Sequence, residues 1–339
     1  MGDADDEREL AAYYDDFGRY WAHGTSPLYE DWACAIAEDA EVLRRLTALP
    51  RRQQQANLLF AAARRAGVPL HPYAEVREEL LDAWDRISEI SATHSTQTNE
   101  PGRAATWLPP LSRLDGPVAL LEVGAAGGLC LFPDHCRVTY TTPAGEFLHE
   151  PAAAGPTIDL RCTVDDAAAV PTGPVDVAWR AGLDLAPIDV RDPEALRWLE
   201  LLVWPGPDHD ARIARLRQAA DAAASAPPRI VSGDLVDDLE ALAATAPADA
   251  HLVVFHSAVL MYPDAAKRDT FVALVGDLGR RLGRRVTWLS NESRGTFPAL
   301  DDRLPADLRA HHRFVQRRNG TPIALAGQHG ATYEITPFA

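Results

Sequence analysis

The chain has 339 residues, 47% of them hydrophobic, with 33 basic against 49 acidic side chains and a formal charge of −16. That length can bury one large core or two, and so large an excess of acid argues against non-specific nucleic-acid binding, which needs Lys and Arg facing phosphate. No apolar run approaches the ~20 residues that span a bilayer, and the acidic start Asp3-Ala4-Asp5-Asp6-Glu7 is wrong for a signal or transit peptide, so a cytoplasmic protein without a membrane partner is expected.

Residues 8 to about 95 read as helices. Tyr13, Phe17, Tyr20 and Trp21 recur at i, i+4, i+7 and i+8, one helical face, until Thr25-Ser26-Pro27 breaks the pattern. A second helix carries Trp32, Ile36, Ala40, Leu43 and Leu46. A third runs from about Gln53 to Ala66 and closes on Gly67, and a fourth shows Val76, Leu80, Trp84 and Ile87. The paired arginines of this region read as solvated helix faces. The cysteines Cys34, Cys130, Cys136 and Cys162 form no C-x-x-C pair, and His311-His312 has no partner at ligand spacing, so no metal site is indicated.

A polar stretch without helical or strand period follows: Thr93-His94-Ser95-Thr96-Gln97-Thr98-Asn99-Glu100-Pro101-Gly102-Arg103. Loops this rich in hydrogen-bonding groups are exposed linkers or ligand contacts. Contact is favoured here because the loop leads into the next element and lacks the repetition of a flexible linker. That element, Val118-Ala119-Leu120-Leu121-Glu122-Val123, is an apolar run suited to a central parallel strand. It ends in an acid and a glycine turn, Gly124-Ala125-Ala126-Gly127-Gly128. Ala126 and Leu129 stand where the dinucleotide fingerprint G-x-G-x-x-G needs glycines, which disfavours a nicotinamide enzyme.

The pattern that does fit, acid-x-G-x-x-x-G on Glu122, Gly124 and Gly128, resembles motif I of class I S-adenosylmethionine-dependent methyltransferases. The segments Thr96 to Glu100 with Arg103, Glu122-Val123-Gly124, Arg180 to Asp189, Val203-Trp204-Pro205 and His256-Ser257 together resemble the uncharacterised bacterial family DUF2332 over nearly the whole chain. The methyltransferase resemblance implies a loop that wraps the methionine part of the cofactor, with Glu122 on its ammonium group. Pro133 cuts short the helix such a fold places after the glycine turn.

Downstream, residues 137–142 and 157–164 alternate polar and apolar and read as an inserted antiparallel hairpin. Val175 to Trp179 is the next strand. Asp184 just beyond it suits a ribose, with Asp189 in reserve, the alternative being a salt-bridge network of these acids with Arg180. A short strand ends at Gly233-Asp234, where Asp234 caps a helix or meets the adenine amino group. His251 to Ser257 is a strand ending in His256 and Ser257, where the resemblance places motif IV, with Tyr262 close behind. Val286 to Glu292 is another, and a hairpin turning at Asn319-Gly320 closes the series.

The expected architecture is α/β. A helical cap region at 1–110 precedes a Rossmann-like, doubly wound, mostly parallel sheet at 111–339, with a hairpin inserted around 137–165 and a C-terminal antiparallel hairpin. Ligands in such sheets sit at the carboxyl ends of the strands. The expected cofactor is S-adenosylmethionine, held by Glu122, Gly124, Ala126, Gly128, Asp184, Asp234 and Ser257. The substrate is a small polar molecule, an amino acid being one such acceptor, met by Thr96, Gln97, Thr98, Asn99, Glu100, Arg103 and Arg180. His256, with its unperturbed pKa of ~6.5, is the candidate base, beside Glu292 and Tyr262. Aminopropyl transfer or cyclisation from the same sulfonium remains open, and a non-catalytic binding protein that keeps the fold is the alternative.

Overall fold

The computed structural model describes residues 3–97, 99–305, 308, 310 and 313–338. Two compact units divide the chain, one of residues 1–98 with 193–213, the other of residues 99–192 with 214–339.

The first unit is helical. It contains α1 (Asp3–Asp16), α2 (Pro27–Glu38), α3 (Ala40–Thr47), α4 (Ala56–Ala66), α5 (Tyr73–Asp82) and α6 (Trp84–Thr93). After α7 (Ala104–Leu111), which belongs to the other unit, come α8 (Pro193–Leu201) and the start of α9 (His209–Ser225). The Ser26 hydroxyl accepts from the Tyr29 amide and Pro27 takes the first helical position, so α2 starts where the sequence breaks its predecessor. Gly67, at φ +101°, closes α4. Tyr14, Trp32 and Phe60 are fully buried in its core. The single apolar face expected for Tyr13, Phe17, Tyr20 and Trp21 is corrected. Phe17 is buried, but the other three are exposed: the buried face of α1 is that of Leu10 and Tyr14, which leaves Tyr13 out, and beyond it Phe17–Ala22 winds as a π-helix, which shifts the 3.6-residue period for Tyr20 and Trp21.

This unit also takes residues that the 1–110 division left out. The Arg64 guanidinium donates to the carbonyls of Leu201 and Val203, and the Trp198 indole to that of Ser95. Residues 99–110 cluster instead with the sheet. Contacts this distant in sequence leave no local pattern to read.

The second unit is built on an eleven-stranded sheet. Its strands are β1 (Val118–Val123), β2 (Cys136–Thr142), β3 (Gly145–His149), β4 (Ile158–Val164), β5 (Val177–Asp184), β6 (Arg229–Ser232), β7 (His251–Ser257), β8 (Val286–Glu292), β9 (Arg313–Arg318), β10 (Thr321–Gly327) and β11 (Thr332–Glu334). The order is β3-β2-β4-β11-β10-β9-β8-β7-β1-β5-β6. The run β8-β7-β1-β5-β6 is parallel throughout, and its chain order reverses between β1 and β7. Every residue of β1 is buried, as an apolar central strand should be. The hairpin of β9 and β10 turns on Asn319 and Gly320, at φ +51° and +79°, the left-handed pair that a tight hairpin turn requires.

The inserted hairpin is corrected as well. β2 pairs antiparallel with β3 but parallel with β4, and β11 joins β4 to the main sheet. Alternation in 136–142 and 158–164 marks strands buried on one face, but it carries no direction. β3 runs the chain back to the starting end, and the connection through Pro151 and Pro156 enters β4 from there. No α-helix lies between β1 and β2; Pro133–His135 forms one 3₁₀ turn there.

Candidate functional site

Parallel partners share a sheet face, and neighbours along a strand alternate faces. Glu122 pairs with Gly182 on β5 and Phe255 on β7. Glu122, Asp184 and Ser257 therefore lie on one face, the side where α7 packs and the Trp107 and Phe255 rings meet at 5.4 Å. His256 pairs with Ser290, two residues before Glu292, so His256 and Glu292 lie on the opposite face. There they join Phe271 of α11 (Ala265–Leu282), which follows α10 (Leu239–Ala243). The residues expected to converge on one crevice are split by the thickness of the sheet.

The His256 face is closed. His256 is fully buried. Its Nδ1 donates to Glu292 Oε1 at 2.7 Å and its Nε2 accepts from the Trp288 indole at 3.0 Å, which fixes a neutral tautomer with neither nitrogen left for a substrate. Glu292 Oε1 also accepts from the amides of Val259 and Leu260, at 2.9 and 3.2 Å. The pair expected as base and acid clamps the turn after β7, where Ala258 stands at φ +56°. Tyr262, just past that turn, is 63% exposed.

On the other face the glycine turn is held from three sides. Asn99 Nδ2 donates to the Ala125 carbonyl and Asn99 Oδ1 accepts from the Leu129 amide, at 3.0 and 2.8 Å. Asp184 Oδ2 accepts from the Ala126 amide and its Oδ1 from the Ala186 amide. The Ile188 amide donates to the Ala126 carbonyl. Gly124 and Gly128, both near φ +70°, have no room for a side chain: a Cβ would come within 2.4 Å of Val259 and 2.8 Å of Ile230. The turn expected to wrap a cofactor is packed against the chain's own Val259 and Ile230 in those directions.

Glu122 differs from its neighbours. It is 4% exposed, and its Oε2 has no hydrogen-bond partner among the described residues. Burial pushes its carboxyl well above the ordinary carboxylate range, against the opposing pull of the Arg103 guanidinium. Arg103 is itself held by the carbonyls of Gln328 and Ser257 and lies over the Phe314 ring. The Ser257 hydroxyl oxygen is also buried and without a hydrogen-bond partner among the described residues. Cys130, next to Glu122, has its thiol pushed up by burial. It lines an apolar crevice with Trp107, Leu111, Leu120, Pro133, Phe255 and Leu289.

The polar loop splits between the two units. Thr96 bonds Gln55 and Gln97 accepts from Ser95, both in the helical unit; Thr98 lies outside the described residues. Asn99, Glu100 and Arg103 are buried in the sheet unit, where Glu100 accepts from Arg215 and the Gly102 amide. Arg180 sits four residues back from the strand end, paired with Asp134 and over the Phe132 ring. This is the salt-bridge alternative, with Asp134 of the loop after β1 as the partner in place of the aspartates after β5.

Asp234 accepts from the Val236 and Asp237 amides and pairs with Lys267. Burial raises its carboxyl, but Lys267 and the amides outweigh burial and hold it below its ordinary value. Asp238, not Asp234, stands at the start of α10. Residues that the sequence reading missed are Ser232 and Leu185: the Ser232 hydroxyl donates to the Leu185 carbonyl, and Leu185, next to Asp184, is 75% exposed. An apolar residue directly after a strand-end acid was the signal available. Among the described residues no group of three or more His, Cys, Asp or Glu is placed to hold a metal, and no helix is long and apolar enough to cross a membrane. His311 and His312 lie outside the described residues.

The model of the family described as "Uncharacterized protein conserved in bacteria (DUF2332)" matches residues 11–334, and the chain belongs to that family. No curated protein matches the chain.

Proposed function

We propose that the sheet unit is an S-adenosylmethionine-dependent transferase, most simply a methyltransferase, acting on a small polar molecule, with Glu122 seating the cofactor's ammonium group. One observation carries the reading. At the point where strand order reverses, where doubly wound sheets take their ligands, the acid before the glycine turn is buried with an oxygen that has no hydrogen-bond partner among the described residues. The run β6-β5-β1-β7-β8 has the 3-2-1-4-5 order of a Rossmann-like sheet, which supports the frame.

At the methionine end Glu122 fits the cofactor's amine, although the directions of Gly124 and Gly128 in the turn beside it are filled by Val259 and Ile230, and at the adenosine end the acids are engaged. Glu122 Oε2 is an acceptor without a partner among the described residues, with the Ser257 hydroxyl on the same face. Leu185 offers an exposed apolar surface beside Asp184. Asp184 and Asp234, however, spend oxygens on the Ala126 and Ala186 amides and on Lys267, so a ribose or an adenine would have to displace those partners.

When bound, an adenosyl sulfonium supplies a carbon activated for in-line displacement. This chain's share is positioning: Glu122 holds the amine, while Asn99 and Asp184 fix the turn beside it. His256 is not retained as a base, because neither of its nitrogens is open. The acceptor is then one whose attacking atom already carries a free lone pair.

The engaged state of Asp184, Asp234, His256 and Glu292 favours a second reading, a binding protein that keeps the transferase frame without catalysis. Calorimetric titration of the full chain with S-adenosylmethionine and S-adenosylhomocysteine, followed by turnover assays across amine, thiol and carboxylate acceptors, tests both. Failure of either sulfur nucleotide to bind the folded chain rejects the first reading. Tight binding without turnover selects the second.

A further inference from the structure

We propose that the seat at Glu122 takes its ligand as a cation in exchange for a proton, so that it selects molecules bearing a protonated amine over neutral analogues of the same shape. The inference rests on the reading of Glu122 as the cofactor's amine contact and adds what that contact requires.

The geometry is that of a carboxyl walled off from water and left half unused. Glu122 is 4% exposed, its Oε2 has no partner among the described residues, and its strand neighbours on the same face are Leu120, Gly182 and Phe255. An isolated carboxylate is strongly disfavoured in such surroundings, and the group stays neutral until a charge arrives to pair with it.

The charged and titratable groups around it do not supply that charge in full. From the polar loop, the Arg103 guanidinium is a cation whose field reaches Glu122 and favours its ionised form, but burial outweighs that pull, and the guanidinium's own hydrogen bonds go to the Gln328 and Ser257 carbonyls with its face over the Phe314 ring. Glu100 from the same loop is paired with Arg215. Asp184 at the end of β5 adds a repelling negative charge, whereas the Cys130 thiol after the turn hydrogen-bonds the carboxyl and favours its ionised form, a pull that burial also outweighs. From β7 the polar group on the same face is the Ser257 hydroxyl, which carries no charge.

An incoming ammonium changes the balance. The Glu122 O–H bond breaks, the electron pair stays on the carboxylate, the proton leaves to solvent, and the carboxylate accepts hydrogen bonds from the ammonium. The ligand keeps its own protons, and about one proton is released per molecule bound. A neutral ligand offers no compensating charge and leaves the carboxyl protonated.

The test uses the full chain and three probes: S-adenosylmethionine, S-adenosylhomocysteine, and 5′-methylthioadenosine, which lacks the amino-acid arm. Titrations near neutral pH in buffers of different ionisation enthalpy count the protons exchanged. The expected result is release of about one proton for each of the two amine-bearing nucleotides and none for methylthioadenosine. Glu122→Gln should abolish the release and weaken the amine-bearing pair about tenfold or more, while leaving methylthioadenosine within about twofold. Amine-bearing nucleotides that bind without proton release overturn the inference and leave the cofactor reading standing. A chain that binds none of the three overturns both. The infrared difference spectrum of wild type minus Glu122→Gln is an independent check: a protonated carboxyl band near neutral pH supports the proposal, and a carboxylate band defeats it.

Discussion

Two glutamates end two strands of the same parallel run, Glu122 on β1 and Glu292 on β8, and both are buried. Glu292 collects three donors on one oxygen, the His256 ring and the amides of Val259 and Leu260. Glu122 leaves an oxygen with no partner among the described residues. The same residue type in the same topological place thus does opposite things. A buried acid whose hydrogen bonds are complete stabilises the fold, whereas one left incomplete costs stability unless something else completes it. The contrast teaches that position at a strand end does not by itself separate a structural acid from a candidate site residue; its partners must be counted as well.

The contrast can be broken most severely at Glu292. Glu292→Ala should lower unfolding free energy by about 3 kcal/mol or more, since it strands the His256 ring and two turn amides in the core. Urea denaturation of the full chain measures this, and a loss under about 1 kcal/mol would place Glu292 outside the supporting network. Glu122→Gln should instead leave the unliganded fold intact while weakening S-adenosylmethionine by about 1.5–3 kcal/mol, the worth of a hydrogen bond to a charged group.

A pH comparison sharpens the difference. Folding raises the Glu122 carboxyl, so its contribution to stability is complete below the ordinary carboxylate range and fades as pH rises toward the raised value. Wild type should therefore lose stability relative to Glu122→Gln as pH rises above the ordinary carboxylate range. A gap that stays constant with pH would show that Glu122 is ionised in the folded chain.

Asn99→Ala removes two hydrogen bonds from the glycine turn and should cost about 1–3 kcal/mol in stability, with a parallel loss of nucleotide affinity. The smallest effect is expected at Lys267, the chain's only lysine. Its pair with Asp234 is partly exposed, so Lys267→Ala should shift stability by less than about 1 kcal/mol. If Asp234 serves the adenine, freeing it should improve nucleotide binding rather than weaken it.

Local sequence carried much of the frame. The apolar run of β1, the Asn-Gly turn between β9 and β10, the Gly67 helix end and the strands ending at Ser257 and Glu292 are all written in short-range pattern, and the structure has each. What it does not have is the antiparallel pairing of 137–142 with 157–164, because alternation fixes a strand's buried face and not its direction. Nor was it legible that Pro193–Ile213 belongs with the helices, since that depends on contacts such as Arg64 to Leu201.

The candidate site shows the same limit more sharply. Glu122 and Ser257 share a face through register, and His256, one residue from Ser257, is turned away by the strand's two-residue period. The alternation was readable before any coordinates, but the packing of α7 and α11 that decides which face is open was not. Asn99 as the brace of the glycine turn came from the polar loop, while its neighbours Thr96 and Gln97 bond within the helical unit.

The measurement that bears most directly on the central claim is the affinity of the full chain for S-adenosylmethionine, compared by calorimetry between wild type and Glu122→Gln. Saturable binding that the substitution weakens by about tenfold to a hundredfold, with the fold unchanged by circular dichroism, is the predicted result. Equal affinity in the two proteins, or no binding in either, would contradict the assignment of Glu122 as the cofactor's seat.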